Sequence, residues 1–447
     1  MGNIYRISPR QKEDWEYNYK LGETQSPRVM SIEVELKNLD VDAFTKAYKM
    51  LILENESLRT MFPVIKGQIF QKVSKYNSEF DLIHLKESEI KTLKGVLKTT
   101  ILKMKNIVNG PHIRGFIYEK IDSTYIVCIL IHHIVSDYWS IRIIKRKLIN
   151  NYNGIINNIF IPQTEIQKQL GEYITTNYGY FHKSHDQIIK NWIERLSNKQ
   201  WQINFDDIYI SLTRRAKDKI FDFSGLNWQG LTEDDMIRNP NGESYIYYLD
   251  KQNYQHLNVY KLSNRKSTNN ILLACLNILG VTLTGNHVIL IQTHFMNRND
   301  SSLDIIGNFI GKILMLNRIT DSQTVNELIE QCNLSFFDGA SKIIYNSSSF
   351  SNLEIATRCF LFYNFISKEM SEGMDVNIQQ HHFLSGVRAE SPLVCKVLES
   401  NNTIKFEWTY HLCFFSRSAI ETITIIFMDI FYKLIVKKEP LVKNLLF

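Results

Sequence analysis

Ile131-His132-His133-Ile134-Val135-Ser136-Asp137-Tyr138-Trp139-Ser140 is the stretch on which the reading of this chain turns. It follows an apolar, β-rich run from Thr124 to Ile131. A continuous apolar run of that length offers no polar face to solvent, so it reads as a buried strand. Beyond it, Trp139, Ile143, Ile144 and Leu148 recur at helical spacing. Two histidines therefore end a buried strand, and an aspartate stands four residues after the second, just before a helix. Strand ends and the loops that follow them are where α/β folds carry reactive groups. A histidine there can accept a proton near neutral pH. The aspartate can orient a ring, hold the loop through a cation elsewhere, or cap the next helix. The pattern His-His-x-x-x-Asp is short, and composition alone produces it from time to time. The chain carries its own control: Gln380-His381-His382-Phe383 is a second histidine pair with no aspartate at the matching offset.

Outward from this stretch, strands and helices alternate. Asp40 suits an N-cap, followed by Phe44, Ala47, Tyr48 and Leu51 at helical spacing. A strong helix runs from about Asn269 to Leu283, with Leu272, Leu276 and Leu279 on one face, and Val288 to Thr293 reads as another buried strand. Two α/β halves are expected, with the boundary between Tyr152 and Asn191, where polar residues thicken at 163–172 and 178–187. We take the halves as 1–175 and 176–447.

A chain of 447 residues is too long for one small core. Its 44% apolar and 22% charged residues are those of a soluble globular protein. The net charge of +6 is spread, with Lys91, Lys94, Lys98, Lys103 and Lys105 among Glu87 and Glu89. That describes a solvated surface, while leaving an acidic partner open. No basic run is interleaved with aromatics, which argues against nucleic acid. The six cysteines form no Cys-x-x-Cys pair and sit mostly in apolar runs, the pattern of buried free thiols in a cytosolic protein. Residues 1–10 lack the apolar core of a signal peptide. Ile423 to Val436 is broken by Asp429 and Lys433, so it reads as a core helix and not a membrane span. A cytoplasmic chain with no membrane association is expected.

Further segments carry a resemblance. Ser8-Pro9-Arg10-Gln11, followed by Trp15, looks like a Ser-x-x-Gln opening. Asn55-Glu56-Ser57-Leu58-Arg59-Thr60-Met61-Phe62 matches His-Glu-x-Leu-Arg-Thr-x-Phe with Asn for His. His132 to Ser140 matches His-His-x-x-x-Asp-Gly-x-Ser with Tyr138 for Gly. Asn297-Arg298 and then Ile306-Gly307-Asn308-Phe309-Ile310-Gly311 match an Arg and an Ile-Gly-x-Phe-Val-Asn segment, whose last two positions read Ile-Gly here. In this order, and over nearly the whole chain, the sequence resembles the condensation domains of nonribosomal peptide synthetases. A later motif, His-Gln-Asp-x-Pro-Phe-Glu, is not recognisable between Ser335 and Ser349. The length matches one such domain with no room for a neighbour.

The resemblance implies two chloramphenicol-acetyltransferase-like halves forming a V around a central tunnel. Carrier proteins would bring thioesters to opposite faces on phosphopantetheine arms, to a monomer that itself binds no cofactor and no metal. His133 would be catalytic, and His132 and Asp137 mainly structural. Asp137 would pair with Arg298, tying the loop to the other half. Tyr138, Ser140 and Asn364 would be candidates for the tunnel lining. Without the resemblance, Arg298 reads as a surface residue after a strand, Arg59 as a partner of a helix C-terminus, and Asn364 as a strand-end residue.

Amide formation from a thioester requires a neutral amine, a held carbonyl and a route for one proton. His133 could take that proton, a contribution of about 10²–10⁴-fold. Placing amine and thioester together counts as well, as do ring or backbone N–H groups at the oxyanion. The usual Gly at position 138 lets the backbone approach the pantetheine closely. Tyr138 therefore points to an altered acceptor, a free small amine, or a degenerate enzyme. The competing readings are an ester-forming O-acyltransferase of the same superfamily, an epimerase with an acidic base facing His133, and a silent protein that docks carriers. The plant-type Asp-Phe-Gly-Trp-Gly string is absent.

Overall fold

The computed structural model describes residues 3–21, 26–88, 92–122, 124–159, 168–183, 185–215, 226–344, 353–367, 387–389, 391–400 and 402–446. The second histidine pair, His381-His382, and the end of the Ser335–Ser349 stretch lie outside them. The chain forms two compact units. The first comprises Met1–Ser184, Met296–Ile310 and Gly373–Ser385; the second comprises His185–Phe295, Gly311–Glu372 and Gly386–Phe447.

The first unit is organised by the strand Thr124–His132. It pairs antiparallel with Val29–Lys37 on one side and Ile113–Glu119 on the other, and Ile83–Lys86 adds parallel at the edge. Successive side chains of a strand point to opposite faces, so an apolar run must be covered on both. Val127, Ile129 and Ile131 pack with the helices Val41–Glu54 and Tyr138–Ile156, through Phe44, Tyr48, Leu51, Ile141, Ile144 and Leu148. Cys128 and Leu130 pack on the opposite face with Leu97 and Ile101 of the helix Leu93–Lys103. Gly115 permits this closeness: a Cβ there would meet the Tyr48 ring at 2.7 Å.

The first long helix is fixed at both ends. Asp40 accepts from the Ala43 N–H at 2.9 Å. Arg59 closes the other end, its guanidinium donating to the carbonyls of Ile52 and Leu53 at 3.0 and 3.2 Å, where a helix leaves carbonyls unpaired.

In the second unit the described strands form one sheet in the order Gly311–Arg318, Val288–Phe295, Leu361–Ile366, Leu393–Glu399, Ile404–His411, Asn241–Tyr248, Val387–Arg388. Its core helix, Thr268–Thr284, is buried from Ile271 to Leu283 and over that stretch is apolar on all sides but for Asn277 and Thr282. With the helix Arg417–Tyr432 it covers one sheet face through Ile289, Ile291 and Met315. Leu290 and Leu314 face the other way, against Trp192 and Trp201. Among the described residues no single helix is long and apolar enough to cross a membrane. All six cysteines are free thiols, and only Cys413 is less than buried.

The expectation that Arg298 ties the loop to the other half is corrected here. Residues 296–310 leave the second unit's strand Val288–Phe295 and belong to the first unit, so Arg298 and Asp137 share one unit.

Candidate active site

The strand Thr124–His132 delivers both histidines, and its ladder fixes their backbone. The His132 N–H donates to the His112 carbonyl and the His133 N–H to the Arg28 carbonyl, each at 2.8 Å. A turn of 3-10 helix, His133–Val135, then breaks the strand. His132 points into the core and is buried. Its Nδ1 accepts the Ile134 N–H at 3.0 Å, so Nε2 carries the proton of the neutral ring. The ring meets His112 edge to face, with centroids 5.6 Å apart. Burial and then the neighbouring His112 hold its pKa well below the usual histidine value. Its work is to hold the turn.

Asp137 caps the helix Tyr138–Ile156, accepting from the Ser140 N–H at 2.7 Å. The same carboxylate receives Arg298: the guanidinium NH2 lies 2.9 Å from both oxygens, with both side chains fully buried. The Phe309 N–H completes it at 3.1 Å. Capping and ion pairing thus fall on one carboxylate, which leaves it engaged on every side. Arg298 also donates to the carbonyls of Ser302 and Ile305 at 2.7 Å and to Gly307 at 3.0 Å, and stacks over the Phe309 ring. A buried charge is tolerated only when so paired.

Ser140 departs from its expected place among the tunnel-lining candidates. It is fully buried. Its hydroxyl lies 2.8 Å from Asp137 Oδ1 and 2.9 Å from the Gly307 carbonyl, and receives the Gly307 N–H and Arg298 at 3.0 Å. A hydroxyl so engaged belongs to the ion-pair network. Trp139 adds a bond from Nε1 to the Leu303 carbonyl at 2.8 Å, so residues 296–310 are pinned along the start of this helix. Tyr138 is the helix's first residue and is half-buried. Burial raises its phenol pKa to about 12. Asn364 belongs to the second unit, on the strand Leu361–Ile366, where its amide meets His294 Nδ1 at 3.2 Å.

His133 differs from His132 in being open: its side chain is 19% exposed. Its Nδ1 is 2.9 Å from Nδ2 of Asn308 and 4.0 Å from Oδ2 of Asp14. Asn308 also donates to Asp14 at 2.6 Å, and its Oδ1 accepts the Ile310 N–H at 3.2 Å. Asp14 is buried on the helix Pro9–Lys20, beside Arg10 at 2.9 Å and Arg28 at 3.4 Å. Burial alone would raise its pKa, but Arg10, His133, Arg28 and the Asn308 amide outweigh that and hold it below the usual carboxylate value. Burial lowers the His133 pKa; Asp14 opposes this, and Arg10 and Arg28 reinforce it. The ring is therefore neutral at pH 7, with one face of the site open to it.

A family model described as a condensation domain matches residues 1–222. Residues 1–222 thus belong to the condensation-domain family. Gramicidin S synthase 2 of Aneurinibacillus migulanus is 22% identical over 429 residues, covering 92% of this chain and 9% of that protein. The chain thus spans under a tenth of the length of that relative. Among solved structures, a holo four-domain nonribosomal peptide synthetase bound to AMP and glycine superimposes with a TM-score of 0.73 at 14% identity, over 99% of this chain and 34% of that one. The epimerization domain from the third module of tyrocidine synthetase B does so with a TM-score of 0.71 at 11% identity, over 99% of each chain. These likenesses establish the α/β condensation fold.

Four residues at this site escape a reading of the sequence: Arg10, Asp14, Arg28 and Asn308. Asp14 stands beside Trp15 in a segment rich in charge, and Asn308 fills the unspecified position of Ile-Gly-x-Phe. Nothing local marks either as buried.

Proposed function

We propose that this condensation domain joins an acyl or aminoacyl group, held as a thioester on the phosphopantetheine of a carrier protein, to an amine that is itself carrier-bound or free. The step would belong to nonribosomal peptide or related secondary-metabolite assembly, antibiotics included. The two compact units, whose first division falls after Ser184 and not at residue 175, would be the two acetyltransferase-like subdomains. In this reading the chain acts as a monomer in the cytoplasm, a location its free thiols suit. It binds no cofactor or metal of its own, no nucleic acid and no membrane.

The observation that carries this reading is the contrast between neighbours. His132 and Asp137 are consumed by the fold, while His133 is open to solvent with its ring held from one side only. Among the described residues nothing hydrogen-bonds its Nε2, which leaves that atom for substrate. Carbon–nitrogen bond formation expels the pantetheine thiolate, and the amine proton leaves with it or through His133. The thioester is already activated, so positioning and oxyanion stabilisation supply the remaining barrier reduction. Tyr138 is the proposed contact of the substrate channel in the first unit.

The epimerase reading needs an acidic base facing substrate. Asp14 does not suit that role: it is buried, ionised and engaged with Arg10, Arg28 and Asn308. The ester-forming reading differs only in the nucleophile, and the silent docking reading predicts no turnover at all.

Incubating the protein with acyl-loaded carrier and a panel of amines and alcohols separates these readings. Amide product from the wild type is expected, and His133→Ala should lower turnover at least about tenfold, a floor set below the roughly 10²–10⁴-fold that positioned acid–base help contributes. Ester product, or a His133→Ala variant as active as wild type, would overturn the assignment.

A further inference from the structure

The hydrogen bonds around Asn308 decide which nitrogen of His133 carries the proton. An amide NH2 has two protons and no acceptor capacity, whereas its oxygen only accepts. Oδ1 of Asn308 takes the Ile310 N–H. Nδ2 gives one proton to Asp14, at 2.6 Å, and the other lies toward His133 Nδ1, at 2.9 Å. Turning the amide over would set its oxygen against an ionised carboxylate and its NH2 against a backbone N–H, so this orientation is the one that fits. His133 Nδ1 must then accept. A neutral imidazole that accepts at one nitrogen bears its proton on the other.

We infer that Asn308 and Asp14 are positioning residues that hold the His133 ring as its Nε2–H tautomer, so that it presents a hydrogen-bond donor to substrate. This rests on the reading of His133 as the residue at the reacting centre. Asp14 anchors Asn308: the buried carboxylate fixes one amide proton, and Arg10 and Arg28 keep that carboxylate charged. The consequence for the reaction is specific. Nε2 has no lone pair with which to deprotonate an amine. Its N–H instead meets the carbonyl oxygen as the carbon–nitrogen bond forms and the π electrons move onto oxygen. Collapse of that intermediate breaks the carbon–sulfur bond, and the thiolate takes the proton that the new ammonium gives up. Protons and electrons balance with no further base. Protonating His133 at Nδ1 would drive an N–H against the Asn308 NH2, so the arrangement also disfavours the imidazolium. The charged groups facing the ring are Asp14, Arg10, Arg28 and Asp137, with His132 adjacent.

The test is ¹⁵N NMR of the full chain with labelled histidine, the His133 signals being assigned by their loss in His133→Gln. In the wild type above the ring's titration, Nε2 should show the shift of a protonated ring nitrogen and Nδ1 that of an unprotonated one. Asn308→Leu removes the donor without adding an acceptor. It should mix the tautomers and raise the ring's pKa, since an Nδ1–H can then face Asp14. Asp14→Asn should lower that pKa. A wild-type ring protonated on Nδ1, or an Asn308→Leu ring with unchanged tautomer and pKa, would overturn the inference. If Asn308→Leu does not fold, the wild-type tautomer decides alone. Because the readout is not turnover, the tautomer result and the condensation assay fail independently.

Discussion

At the scale of single residues, Asp137 and Arg298 set the largest expected stability effect. Both are fully buried, and each is the other's principal counter-charge. Removing one partner of such a pair strands the other, at a cost of about 3–5 kcal/mol. Asp137→Ala also removes the cap on Tyr138–Ile156, while Asp137→Asn keeps a capping oxygen. Denaturant unfolding should therefore show a large loss for Asp137→Ala and a smaller one for Asp137→Asn; a loss below about 1 kcal/mol for the alanine variant would mean the pair is not the support described. Tyr138 carries a different expectation. As the first helical residue its N–H is unpaired by the helix, so Tyr138→Gly should barely alter folding. If the half-buried ring narrows the acceptor entrance, the glycine variant should accept a wider range of amines, carrier-bound ones included. Turnover against a panel of free and carrier-bound amines checks this, and an unchanged profile would mark the tyrosine as a tolerated substitution. Asp137 and Tyr138 could be singled out in the sequence because they sit inside a motif with fixed spacing. Asn308 was not, because its role depends on a carboxylate 294 residues away in the chain.

At the scale of elements, the helices and strands read best where one face is apolar. Asp40, Phe44, Ala47, Tyr48 and Leu51 gave the first long helix its cap and its buried face, and the structure has both. The helix Pro9–Lys20 is the opposite case. It buries Arg10, Gln11, Glu13, Asp14 and Asn18, a face that by charge pattern looks solvated. Ion pairs within the helix, Arg10 to Glu13 at 2.7 Å and Arg10 to Asp14 at 2.9 Å, make that burial tolerable. Its entry is equally specified: Ser8 accepts the Gln11 N–H at 3.0 Å and Gln11 accepts the Ser8 N–H at 2.9 Å, with Pro9 at the first position. The Ser-x-x-Gln segment is thus a capping box, and Gln11 extends it by donating to Gln71 at 2.9 Å. Ser8→Ala should cost about 1 kcal/mol of stability, as lost caps do. Because this helix carries Asp14, the same variant should also broaden the His133 ring signals by NMR. A variant with unchanged stability would show that the box is dispensable and that tertiary contacts alone set the helix.

At the scale of the whole molecule, the two units differ in how they should respond to acid. The first contains His112, His132 and His133, all with pKa values lowered by burial, His112 to about 4. In the second, His411 is similarly lowered. A histidine whose folded pKa lies below its unfolded value stays neutral in the native state while the unfolded chain takes up a proton. Stability then falls as pH drops below the unfolded value near 6.5 and goes on falling until the folded pKa is reached. For His112 the interval from 6.5 to about 4 corresponds to roughly 3 kcal/mol. Asp14 acts in the same direction at lower pH, its depressed pKa stabilising the fold only while it is ionised. Glu33, whose pKa is raised by burial, opposes them in part, because the native state takes up its proton first. The balance favours acid loss in the first unit. That two α/β units exist could be read from strand–helix alternation. Their membership could not, because residues 296–310 leave the second unit's strand to join the first, and that follows from partners such as Asp137 and Ser140. Hydrogen exchange at pH 7.5 and at pH 5 checks the asymmetry. Amides of Thr124–His132 should lose protection on acidification well before those of Val288–Phe295. Equal loss in both strands would mean that the units unfold as one and that the buried histidines do not set the acid limit. A first strand protected down to pH 5 would mean that the three rings are not held neutral.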